Sequence, residues 1–136
     1  MKSLFPGLGI YVALTLLVLF SGCKAATDKF VEANLKTQAA AANEMANKEV
    51  ADGVRLDSVS AEGKSMRFSY TMLEYSKGDL DIPVFYKNAK AELIKEANTN
   101  PDLKFFREHK VKIAYAYYFA DGEPLSTIVI KPEDYK

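Results

Sequence analysis

"SMRFSYTMLEY" (Ser65–Tyr75) alternates with a period of two: Met66, Phe68, Tyr70 and Met72 fall on one side, Arg67, Ser69 and Thr71 on the other. Successive side chains of an extended chain point to opposite faces, so this run reads as a strand with one face buried and one in water. Just upstream, "VRLDSVS" (Val54–Ser60) reads as a second strand, and Ala61-Glu62-Gly63-Lys64 as the turn between them. Together they make an antiparallel hairpin whose apolar side needs a cover.

Downstream, Ser76-Lys77-Gly78-Asp79 breaks the alternation. A helix is expected from near Pro83, which is favoured in a first turn, with Asp79 and Asp81 close to the positive end. Phe85, Ala89, Leu93 and Ala97 recur every fourth residue, flanked by Ile82, Tyr86 and Ile94, while Lys87, Lys90 and Lys95 fall mostly on the other side. "NTNPD" (Asn98–Asp102) ends the helix, because the residue before a proline resists helical backbone. Leu103–His109 has room for a short helical turn carrying Phe105 and Phe106. Val111, Ile113, Tyr115, Tyr117 and Phe119 then alternate with Lys112, Ala114, Ala116, Tyr118 and Ala120. Asp121-Gly122 is a hairpin signal, and "PLSTIVIK" (Pro124–Lys131) returns as a strand closed by Pro132.

Ahead of both hairpins, residues 28–51 contain no Gly or Pro and are rich in Ala, Glu, Lys and Gln. That composition predicts one helix across the whole stretch, N-capped by Thr27 or Asp28 and stopped by Asp52-Gly53. Val31, Leu35, Ala39, Ala42, Met45, Ala46 and Val50 form its thin apolar stripe. A stripe so rich in alanine suits either close packing on a sheet or, over the first turns, a stalk. The order helix, strand, strand, helix, strand, strand predicts an α+β domain: one antiparallel sheet of about four strands with helices on one face.

The chain begins differently. Met1-Lys2 is a short positive start, and Leu8–Phe20 is an apolar run broken only by Gly9 and Thr15. A membrane-spanning helix needs about 20 apolar residues, so this run has the length of a signal-peptide core instead. Ser21 and Gly22 follow, then Cys23, the only cysteine. Phe20-Ser21-Gly22-Cys23 resembles the lipobox of bacterial lipoprotein signal peptides, with Phe20 where leucine is commoner and Leu19 keeping the site apolar. The resemblance implies removal of residues 1–22, a diacylglycerol on the Cys23 thiol and a fatty acid such as palmitate on its new amine. It divides the remainder into an acylated tether (23–27) and a single domain (28–136). Two or more acyl chains hold a protein stably at a bilayer, where one does so only marginally. Lys24, rather than Asp, after the cysteine implies attachment to the outer membrane, facing the periplasm.

With Cys23 acylated no thiol is left for an intrachain disulfide, so stability rests on packing. Basic and acidic residues balance at 18 each, which gives no global field to attract nucleic acid. Chemistry is sparse. His109 is the only histidine, among Arg107, Glu108, Lys110 and Lys112, and reads as structural or surface; no metal site and no cofactor is expected. Asp79 and Asp81 read as capping residues. Gly-rich phosphate loops, nucleophile elbows and Cys-His pairs are missing, so the domain reads as non-catalytic.

Tyrosine is the suggestive residue, pairing a large ring with a polar tip. Tyr118 falls opposite the core face, beside Ala114 and Ala116, and these three form the candidate partner-binding patch. The expected partner is an envelope protein, met by edge-strand or sheet-face docking, in assembly of an envelope machine or in protection of the cell. The alternative is a carrier or sensor with a small apolar ligand between helix and sheet, lined by Phe68, Tyr70, Phe85, Leu93 and Tyr115. "RLDSV", "FSYTMLEY", "NTNPD" and "YAYYFADGEPLSTIVI" resemble, in order and spacing, small exported bacterial domains of uncharacterised role. That resemblance implies the same fold and no activity. Some of those domains carry a cysteine pair near Asn98 and the C-terminus; this chain has neither.

Overall fold

The structure, a computed structural model, describes residues 26–136. The expected signal segment 1–22, Cys23 and the first part of the expected tether lie outside the described residues.

The α+β architecture is as expected. Helix α1 covers residues 26–42, followed by β1 (Lys48–Ala51), β2 (Val54–Glu62) and β3 (Ser65–Met72). Helices α2 (Ile82–Thr99) and α3 (Lys104–Glu108) come next, then β4 (Lys112–Phe119) and β5 (Pro124–Ile130). The strands form one sheet in the order β1-β2-β3-β4-β5. Three of the neighbouring pairs are antiparallel, and β3 runs parallel to β4. The parallel pair follows from connectivity. After β3 the chain traverses α2 and α3, and so re-enters the sheet at the end where β3 began.

The fifth strand is the main departure from the sequence reading. The helix expected over 28–51 stops at 42, and β1 takes the last part of that stretch. Asn43 turns the chain: its Nδ2 donates to the Val59 carbonyl and its Oδ1 accepts from the Val59 N–H, both at 2.7 Å. One amide thus imitates a strand neighbour for β2. Asn47 adopts a left-handed backbone (φ 64°), and Lys48 then pairs with Leu56. Asp52-Gly53, with Gly53 at φ 70°, is a hairpin turn rather than a helix stop. The same glycine suits either use, and pairing along β2 outweighs a modest helix propensity.

All helices pack on one side of the sheet. Val31, Leu35 and Ala39 of α1 meet Leu56, Val59, Met66, Ile113 and Ile130 in the core. Val31 is 1% exposed and Leu35 fully buried, so α1 lies on the sheet from its first turns and is no stalk. Helix α2 starts as expected: Asp81 caps it by accepting from the Val84 N–H at 3.1 Å, and Pro83 lies in the first turn. Its far end is strongly held. Arg107 donates to the carbonyls of Ala97 and Asn100, both at 2.8 Å. Asn98 donates to the Asp134 carbonyl at 2.9 Å and accepts from the Lys136 N–H at 2.7 Å. These bonds clasp the end of α2 to the C-terminal residues.

Candidate functional site

Helix α2 is held by one end. Among its residues only Ala97 is buried, and the N-terminal half stands off the sheet. The gap is a groove of about 410 Å³ open to solvent, lined by Phe85, Ala89 and Leu93 from the helix and Val54, Tyr70, Met72, Tyr115 and Tyr117 from the sheet. Val50 and Ala51 of the edge strand β1 form its outer wall. A second hollow of about 440 Å³ lies on the other flank of the same half-helix, against Leu80, Val84 and Asn88. Val50, Leu73, Tyr75, Ile82 and Val84 leave large apolar surfaces exposed. An apolar concavity with a few polar groups is the usual form of a binding site.

The floor is an aromatic ladder set by the parallel register, which pairs Phe68 with Tyr115 and Tyr70 with Tyr117. These rings stack at 5.5 and 5.6 Å between centroids, and Phe85 closes edge-on against Tyr117 at 5.3 Å. Among the described residues, the hydroxyls of Tyr70, Tyr115 and Tyr117 find no hydrogen-bonding partner, although no buried side-chain polar atom goes without one. The three hydroxyls are therefore not sealed from solvent, and the side chains that carry them line the groove. They are donors waiting for an acceptor.

Burial pushes the Tyr70 and Tyr115 phenols up, and it holds Tyr117 at about 12. Nearby phenols add to the shift at Tyr115 and Tyr117. Tyr135, whose hydroxyl donates to the Val111 carbonyl at 2.6 Å, is likewise raised to about 12, mainly by burial. The folded state keeps these protons after the unfolded chain has begun to lose them near pH 10. Stability is accordingly full below pH 10 and falls as pH rises towards 12. Melting temperatures across pH 8–12 are expected to show that drop. Tyr117→Phe should soften the alkaline fall and leave the melt at pH 8 nearly unchanged.

The opposite face of the sheet carries no helix among the described residues, and the three patch residues share it. Tyr118 and Ala114 are half-buried, while Ala116 is only 1% exposed and offers almost no surface. In register with Tyr118 stands Thr71, whose hydroxyl donates to Asp57 at 2.7 Å and accepts from Arg55 at 3.2 Å. Arg55 also pairs with Asp57 at 2.8 Å. Strand alternation sufficed to put these residues together. It could not reveal the groove, whose existence depends on where α2 stands off and on the unforeseen β1.

His109 lies half-buried with its ring 4.4 Å from that of Phe105. Asp79 accepts from the Ser76 N–H at 2.8 Å and closes a turn. Among the described residues no group of three or more His, Cys, Asp or Glu side chains is placed to hold a metal ion. None of their helices is long and apolar enough to cross a membrane.

Residues 29–125 match the family described as Domain of unknown function (DUF8479). The chain belongs to the DUF8479 family. No curated protein matches its sequence. Its fold recurs in solved structures at low identity. The DUF8479 chain aligns with the type II secretion system pilotin AspS from Vibrio cholerae at TM-score 0.63 and 10% identity, over 82% of this chain and 97% of that one. For the type 2 secretion system pilotin EpsS from Vibrio vulnificus the TM-score is 0.65 at 5% identity, over 81% and 96%. A Pseudomonas aeruginosa protein inferred to be secreted gives 0.63 at 10% identity, over 79% and 94%. At these identities the likeness establishes a shared fold for the DUF8479 domain.

Proposed function

We propose that this DUF8479 protein is a lipoprotein, acylated at Cys23 and facing the periplasm from the outer membrane, whose non-catalytic domain holds a segment of an envelope protein. The groove beside β1 carries the reading. Strand β1 is an edge strand with all four residues exposed, and it adjoins a concavity that is apolar except for three unpaired phenols. An extended segment added along β1 would place alternate side chains in the groove and bring backbone carbonyls towards the phenols. The fold shared with two type II secretion system pilotins supports a partner within an assembly of the envelope. Tyr118 and Ala114, with Ala116 beneath them, are proposed as a secondary contact on the opposite face.

A photo-crosslinking residue at Val50, in cells, tests this. The expected result is a covalent adduct with an envelope protein that disappears when Ala89→Arg fills the groove, in a variant whose melting temperature is unchanged. The same probe at Tyr118 reports on the secondary face. Adducts from Val50 that persist in Ala89→Arg would overturn the groove assignment.

A specific observation also favours a small apolar ligand. Tyr70, Phe85, Leu93 and Tyr115, expected as the lining of such a pocket, do line the groove, while Phe68 lies beside Tyr115 against the core. Native mass spectrometry of the protein from its own cells separates the two readings, since a carrier retains an additional small mass that Ala89→Arg expels.

A further inference from the structure

We propose that the end of the domain at which α1 begins is a membrane-resting surface, with Phe30 as its apolar contact and a set of lysines facing anionic headgroups. This rests on the acylation of Cys23 proposed above. Four contacts define that end. The Asp28 carboxylate lies 3.8 Å from Lys64 in the β2–β3 turn, and the Lys112 N–H donates to the Lys64 carbonyl at 3.0 Å. Phe30 meets Phe105 of α3 edge-on at 6.4 Å, and Phe105 meets the His109 ring. The first turn of α1, the β2–β3 turn, α3 and the start of β4 therefore sit together.

Phe30 is 59% exposed, the most exposed of the large apolar side chains among the described residues, though it directly precedes the buried Val31. Lys29, Lys64, Lys104, Lys110 and Lys112 are exposed nearby. Of the carboxylates among them, Asp28 pairs with Lys64 and Glu108 with Lys104, and Glu62 and Asp102 are also exposed, four against five lysines. Positive charge is in excess. An aromatic ring within a lysine cluster is the composition of interfacial segments, in which the ring enters the headgroup boundary and the ammonium groups meet lipid phosphates.

Chain length decides which partner this end meets. From Cys23 to Ala26 is three residues, which reach about 10 Å at full extension. With acyl chains on Cys23, the start of α1 stays within that distance of the bilayer, too close for another globular protein to intervene. Val50 and Val84, at the opposite end of β3 from Lys64, are thereby turned outward with the groove.

The chain has no tryptophan, so Phe30→Trp makes a single emitter. Acylated protein carrying this substitution, purified from membranes, is placed in vesicles of phosphatidylethanolamine and phosphatidylglycerol with brominated acyl chains. Its emission is expected to shift to the blue and to lose at least about half its intensity, as for a ring at the headgroup boundary. Val84→Trp, at the far end, should lose little. Replacing Lys29 and Lys112 with Glu, or phosphatidylglycerol with phosphatidylcholine, should reduce the quenching of Trp at position 30. Unquenched emission from a protein whose mass shows its acyl groups overturns the surface alone, and so does equal quenching at positions 30 and 84. A mass without acyl groups overturns the anchor, and this surface with it.

Discussion

Leu35→Ala is expected to lower unfolding free energy by about 3 kcal/mol, near the middle of the range for a leucine truncated in a close-packed core. Leu35 is fully buried between Val31 and Ala39 and is the largest side chain that α1 contributes to the core. Val31 and Ala39 on either side are shorter and already buried, so neither can fill the space. For a domain of this size the loss corresponds to a melting temperature lower by roughly 12 °C. Lys36→Ala, on the outer face in an exposed pair with Glu32, should shift it by no more than about 2 °C. Thermal melts of the three proteins check the contrast. Equal small shifts for Leu35→Ala and Lys36→Ala would mean that α1 does not belong to the core in solution.

Cys23→Ser is expected to move the protein almost completely from the membrane to the soluble fraction of the envelope. In the proposed anchor the Cys23 thiol carries the diacylglycerol, and serine cannot take its place in the thioether. Each acyl methylene in the bilayer is worth about 0.8 kcal/mol, so the lost chains far outweigh what one aromatic ring and a few lysines contribute. Fractionation and the mass of the purified chain supply the measurement. The variant should keep the melting temperature of the wild type, since the core residues of the described domain begin at Val31. Membrane retention of a serine variant whose mass shows residues 1–22 removed would disprove lipid anchoring.

The strands of the two hairpins were legible because each has one wet face and one dry face, and period-two alternation records that directly. Asp81 and Pro83 marked the start of α2, and Asn100-Pro101 its end, since caps and pre-proline backbone are local chemistry. Residues 43–51 were not legible. Ala, Glu, Lys and Met there favour helix weakly, and the decisive interaction, Asn43 with the backbone of Val59, is between residues far apart in sequence. The same holds for the site. The stripe Phe85–Ala89–Leu93–Ala97 showed which side of α2 faces the sheet, but a periodic stripe cannot say that only its last member is sealed. Tyr70, Tyr115 and Tyr117 read as core residues, and their rings are; that the hydroxyls emerge into a groove depends on the angle at which α2 leaves the sheet. Tyr118, Ala114 and Ala116 fell on the expected face because alternation alone decides it, while the near-complete burial of Ala116 depends on the strands at its sides.

The parallel seam between β3 and β4 bears on how the domain folds. Turns at Asp52-Gly53, Gly63-Lys64 and Asp121-Gly122 let β1, β2 and β3 zip as one unit and β4 with β5 as another. The seam has no turn of its own and waits until both helices between the halves have condensed. Joining the two half-sheets is therefore expected to be the slow event of folding. Until it occurs, the stacked rings of Phe68, Tyr70, Tyr115 and Tyr117 are divided between two sticky open edges. A chain still in that interval is exposed to aggregation, and a holding chaperone would find its grip there.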